Sequence, residues 1–82
     1  MKNKLFIGNL SRGVTHEQLE RHFLAAGNVV SAKVIIDNDG LGKGFGFVEM
    51  ATEDEAIKAK QTLNHSELDG MKIEIKDEKY QP

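Results

Sequence analysis

Apolar and polar residues alternate through Lys43-Gly44-Phe45-Gly46-Phe47-Val48-Glu49-Met50. Successive side chains of a strand point to opposite faces. Lys43, Phe45, Phe47 and Glu49 therefore share one face, and Gly44, Gly46, Val48 and Met50 the other. The second face carries no charge and suits a core; the first is charged at both ends and is predicted to look toward water. Lys4–Gly8 repeats the pattern, with Leu5 and Ile7 on one side and Lys4, Phe6 and Gly8 on the other. Val29–Asp37 is rich in β-branched residues and reads as a strand with Ala32, Val34 and Ile36 on one face and Lys33 and Ile35 on the other. Met71–Lys76 alternates again, Ile73 and Ile75 inward, Lys72, Glu74 and Lys76 outward.

Between the strands the period changes from two to that of a helix. Thr15-His16-Glu17-Gln18 has the form of a capping box, with Val14 and Leu19 at the staple positions. Leu19, Phe23 and Ala26 follow at helical spacing, and Gly27 is a suitable stop. Thr52-Glu53-Asp54-Glu55 is a second capping box, followed by a stripe of Ala56, Ala59 and Leu63. Lys60 falls almost inside that stripe, so its stem packs, its ammonium reaches water and this helix docks less firmly. Asp37–Gly42 is a polar, glycine-bearing turn joining two strands as a hairpin; Asn64–Gly70 reads as a loop anchored by Leu68, and residues 77–82 as a charged tail. The order β-α-β-β-α-β predicts a ferredoxin-like α+β fold: a four-stranded antiparallel sheet with two helices on one face and the other face open. The 82 residues are expected to form a single domain with its structured core over about residues 3–76.

Phenylalanines on a water-facing sheet surface have no folding role, but an aromatic ring is a platform for an unstacked base. Lys43–Met50 resembles the eight-residue signature of the RNA recognition motif family, K/R-G-F/Y-G/A-F-V-x-F/Y, departing only at Met50. Met50 lies on the inward face, so the departure touches packing rather than ligand contact. Leu5–Leu10 resembles the family's shorter signature. The wording Gly-Phe-Gly-Phe-Val-Glu-Met and Glu-Leu-Asp-Gly is similar to the small single-domain bacterial members. The resemblance implies that the first and third strands are central neighbours, clustering Phe6, Phe45 and Phe47. It further implies a non-catalytic module for single-stranded RNA, with single-stranded DNA as the alternative ligand, and a contact from Asn9, which would otherwise cap the following loop.

The net charge of −2 argues mildly against a nucleic acid partner. The aromatic face, however, is expected to hold Lys4, Lys33, Lys43, Lys72 and Lys76 against Glu49 and Glu74, five positive charges against two negative. Much of the acid falls on the helices at Glu17, Glu20, Glu53, Asp54 and Glu55, where it also favours the helix dipoles. Lys43 is the leading candidate for a phosphate contact, with Lys4, Lys33, Lys72 and Lys76 beside it. Tyr80 either folds over the sheet or hangs in the tail; Asp77 and Glu78 nearby favour the tail.

Other chemistry finds little support. There is no cysteine, hence no thiolate metal site or cysteine nucleophile. His16, His22 and His65 lack metal-ligand spacing and read as lone surface histidines, and the glycines around Lys43 match neither phosphate-loop pattern. Ser11, Ser31 and Ser66 have no visible base partner. No cofactor and no membrane span are expected, and the expected state is a soluble, cytoplasmic monomer (nuclear if the source is eukaryotic). A protein-interaction module on the same fold is the competing reading, motivated by the acidic helices and by Ile35 on the open face.

Overall fold

The computed structural model describes residues 3–40 and 42–77. Its elements are β1 (Lys4–Gly8), α1 (His16–Leu24), β2 (Val29–Ile36), β3 (Gly42–Met50), α2 (Glu53–Leu63), β4 (Glu67–Leu68), β5 (Met71–Lys72) and β6 (Glu74–Asp77). Four strands form one antiparallel sheet in the order β2-β3-β1-β6; β4 and β5 form a separate small hairpin. This is the ferredoxin-like arrangement, with both helices on one face.

The predicted stripes make the core. Leu5 and Ile7 of β1, Val34 of β2, Val48 and Met50 of β3, and Ile75 of β6 meet Leu19, Phe23 and Ala26 from the first helical segment and Ala56 and Ala59 from the second. The α1 capping box is complete: the Thr15 hydroxyl accepts from the Gln18 N–H at 3.1 Å and the Gln18 side chain accepts from the Thr15 N–H at 2.9 Å. At α2 the Thr52 hydroxyl accepts from the Glu55 N–H at 3.2 Å, but the Glu55 carboxylate also turns outward. It accepts from the Thr52 hydroxyl at 2.9 Å and from the Asn28 N–H at 2.8 Å, tying the start of α2 to the loop after α1.

Two irregularities between β2 and β3 shape the sheet. Val29 pairs with Met50 but Ser31 with Glu49, so Val30 is an extra residue. This bulge departs from simple alternation: Val29, not Val30, packs against the core, and Val30 is 61% exposed. At the other end Val34 pairs with Gly46 and Ile36 with Gly42, so β3 carries the excess. Gly44 accommodates it with φ +90, a left-handed conformation that glycine enters cheaply. The bulge is seated by the β1–α1 loop: the Leu10 N–H donates to Gly44 O at 2.9 Å and the Gly42 N–H to Arg12 O at 3.1 Å. Arg12 itself bridges to the Gly42 carbonyl and to Asp37, each at 3.1 Å. Gly46 answers a different need, since a Cβ there would run into the backbone carbonyl of Lys33 on β2.

Three local expectations need correction. The strand predicted over Met71–Lys76 is broken at Ile73, whose N–H and carbonyl bond to Ser66 and His65 instead. Its first half pairs with Glu67–Leu68 across Asp69 and Gly70, both at positive φ, as a two-residue hairpin turn requires. β6 runs to Asp77, one residue past the expected end of the core, and there Asp77 accepts from Lys60 at 2.7 Å. The ammonium predicted to reach water thus also links α2 to β6. His16, read as a lone surface histidine, accepts the Val34 N–H on its Nδ1 at 2.9 Å, along the outer edge of β2. The tail residue Tyr80 lies outside the described residues.

Candidate nucleic-acid interface

The register assembles the open face in transverse rows. Lys33 of β2 lies opposite Phe47 of β3, Phe47 opposite Phe6 of β1, and Phe6 opposite Lys76 of β6. The row beside it carries Ser31, Glu49 and Lys4; the row on the other side carries Phe45, Gly8 and Glu74. One row therefore crosses all four strands with two rings inside and a lysine at each end.

The three rings touch. Phe6 and Phe45 have centroids 5.7 Å apart with planes inclined by 26°, and Phe6 and Phe47 are 5.7 Å apart at 70°. Phe45 and Phe47 close the triangle edge-on at 6.2 Å. Phe45 and Phe47 are half-buried, while Phe6 is only 6% exposed. The expectation of three comparable outward platforms is thus met in direction but not in exposure: Phe6 points to the open face yet is largely covered. Alternation reveals where a side chain points; it does not reveal how closely neighbouring rings cover it.

Lys4, Lys33, Lys43 and Lys76 are exposed around this cluster. Lys72 is not in the sheet. It lies in the β4–β5 hairpin, correcting its expected place on the aromatic face. Four lysines against Glu49 and Glu74 remain on or beside the face, a smaller excess than the sequence suggested. Asn9 follows β1 with φ +58 and donates its side-chain amide to the Lys72 carbonyl at 2.6 Å, joining the end of β1 to the hairpin. The signal for the hairpin was present in the sequence as Asp69-Gly70, the dipeptide favoured by tight hairpin turns.

Two groups away from this face titrate abnormally. The Asn28 N–H, followed by the Thr52 hydroxyl, holds the Glu55 carboxyl below the ordinary glutamate range. Burial pushes His22 below the usual histidine value; its Nε2 lies 2.7 Å from the Ser66 hydroxyl. Among the described residues no group of three or more histidine or acidic side chains is arranged to hold a metal ion, and no helix is long and apolar enough to cross a membrane.

A fold with two helices behind an open antiparallel sheet, and a contacting aromatic triad on its two central strands, defines a class of nucleic-acid-binding domains. The chain belongs to the RNA recognition motif family, whose sequence profile matches residues 5–74. It is 44% identical over 81 residues to the 29 kDa chloroplastic ribonucleoprotein of Arabidopsis thaliana, covering 98% of this chain and 24% of that protein. It is 40% identical to the mitochondrial glycine-rich RNA-binding protein 4 of the same plant, covering 92% of this chain and 56% of that one. The chain thus spans about a quarter of the length of the chloroplast ribonucleoproteins it matches. Among solved structures, that of RNA Binding Protein PG1 superposes with a TM-score of 0.85 at 38% identity, covering 96% of both chains.

Proposed function

We infer that the open sheet face binds single-stranded RNA without catalysis, holding two or three bases by stacking on Phe47, Phe45 and Phe6. Lys43, Lys4, Lys33 and Lys76 act on phosphates, and Asn9 and Lys72 border the path of the strand from the β4–β5 hairpin. The observation that carries the reading is the row Lys33–Phe47–Phe6–Lys76, two aromatic rings bracketed by cations across the full width of the sheet. Glu49 and Glu74 are the acids there, while Glu17, Glu20, Glu53, Asp54 and Glu55 lie on the helices behind. The relatives named as ribonucleoproteins and RNA-binding proteins support the same ligand class. An intracellular site of action, cytoplasmic or organellar, belongs to this proposal, since the named relatives are chloroplast and mitochondrial proteins. So does a single domain acting as a monomer.

The test is an NMR titration of the labelled chain with a random pool of short RNAs. Shifts concentrated on β1 and β3 are expected. Shifts confined to α1 and α2, or none, would refute the reading and favour a protein partner. A parallel titration with single-stranded DNA of matched length separates the two nucleic acids, because only RNA offers the 2′-hydroxyl.

A further inference from the structure

Beside Phe47 the open face is not flat. Strands β1, β2 and β3 enclose a shallow depression of about 190 Å³, lined by Lys4, Ser31, Lys33, Phe47, Val48 and Glu49. The register accounts for it: Lys4 and Ser31 face Glu49 from its two sides, and Lys33 faces Phe47. A single carboxylate thus sits among two ammonium groups and a hydroxyl, next to an aromatic ring.

For a surface that attracts phosphate, that carboxylate is costly, because its charge opposes the ligand. It is not neutralised in place. Among the described residues neither Lys4 nor Lys33 forms an ion pair with it. Its nearest polar partner is the Asn3 side-chain amide, 3.5 Å from Oε2, and that amide already donates to the Met50 carbonyl at 2.8 Å. Glu49 therefore keeps unfilled acceptor capacity, loosely oriented by Asn3, beside the half-buried ring of Phe47.

We propose that this depression reads the base stacked on Phe47 and selects guanine, an inference that rests on the RNA-binding reading above. A carboxylate presents two acceptors side by side. Of the four RNA bases only guanine presents two donors side by side on its Watson–Crick edge, N1–H and the N2 amino group. Adenine and cytosine offer a single donor atom flanked by an acceptor, and uracil a single donor between two acceptors. Against any of these, one Glu49 oxygen faces a lone pair. Guanine O6 lies next to N1–H and takes its proton donor from the ammonium of Lys4 or Lys33. The bland alternative is a solvated glutamate sharing its charge with the cross-strand Lys4.

The experiment measures binding of the full chain to labelled oligouridines carrying G, A, C or U at one central position. The guanine oligomer is expected to bind about tenfold more tightly, within the range a bidentate base contact commands. In Glu49→Gln one acceptor becomes a donor, so the guanine preference should collapse while the other oligomers bind as well as before or better. Equal binding of all four oligomers by the parent overturns the proposal and leaves the RNA reading standing; this arm depends on no variant. A Glu49→Gln chain that melts like the parent and tightens every oligomer by the same factor also overturns it, by making Glu49 a mere surface charge. Binding to none of the oligomers overturns the RNA reading, and the base preference with it.

Discussion

Phe6 is where packing and binding are hardest to separate, and substitutions there separate them. Its ring contacts both Phe45 and Phe47 at 5.7 Å and is 6% exposed. Each aromatic pair contributes about 0.5–1.5 kcal/mol beyond the area it buries, so two contacts amount to about 1–3 kcal/mol. Phe6→Leu keeps most of the apolar bulk and should lose about that much. Phe6→Ala gives up the burial too and should approach the ~3–5 kcal/mol of a buried phenylalanine truncated to alanine. At ~4–8 °C per kcal/mol for a domain of this length, the leucine variant should melt roughly 4–24 °C below the parent and the alanine variant lower still. Binding should behave differently. Leucine has no π-face, so both variants lose the same base stack, about 1–3 kcal/mol. The assays are thermal melts by circular dichroism and fluorescence anisotropy with a short mixed-sequence RNA, the latter well below the lower melting point. Equal losses in binding beside unequal losses in stability are expected. If the leucine variant binds like the parent, or if affinity follows stability across the series, Phe6 is a packing residue and its role as a base platform is wrong.

Four further outcomes follow from the same geometry. Met50→Ala should cost about 2–5 kcal/mol in thermal or denaturant unfolding and leave the affinity of the folded fraction unchanged, because Met50 is fully buried on the helix side. Gly46→Ala should destabilise by about 1–3 kcal/mol, read in the same melts, because its Cβ has to displace the Lys33 carbonyl of β2; a neutral result would mean the strands separate freely there. With two to four phosphates neutralised by the lysines around the rings, log K against log salt should have a slope of roughly −1.4 to −2.8, and a slope near zero would make those lysines bystanders. Stability should fall with acid in two steps. His22 and Glu55 both have depressed folded-state values, so in each case the unfolded chain takes up its proton first. The first loss begins as pH drops below the ordinary histidine value of about 6.5 and the second below the ordinary glutamate range. His22→Gln should remove the first step and Glu55→Gln the second; a melting temperature flat from neutrality to about pH 5 would refute the first assignment, and one flat from there to about pH 3 the second.

Much of this was legible in the chain because the signals are local and periodic. The alternation in Lys43–Met50 and Lys4–Gly8 assigned both faces of the central strands, and Thr15 with Gln18 marked the start of α1. What was not legible depends on contacts between distant segments. Val30 leaves the core because β2 carries one residue more than β3 can match, a property of pairing that no single strand records. Lys60 finds Asp77, seventeen residues on, only after β6 has docked beside β1. Phe6 is largely covered, with its ring against both Phe45 and Phe47 from another strand. Asp69-Gly70 is the exception: its hairpin signal is local, and the short strands around it are too brief to show alternation.

The histidine at the head of α1 has a consequence for how the chain keeps company with copies of itself. β2 is an outer strand, and an outer strand offers bare N–H and C=O groups on which another chain can extend the sheet. The imidazole of His16 occupies the Val34 N–H at 2.9 Å, toward the C-terminal end of that margin. The bulge at Val30 twists the strand on one side of this point, and the lysine at position 33 adds charge beside it. A sheet that exposes aromatic rings on one face is a poor candidate for crowded solution unless its margins refuse to grow. On the β2 side the refusal is built from one side chain, one extra residue and one charge.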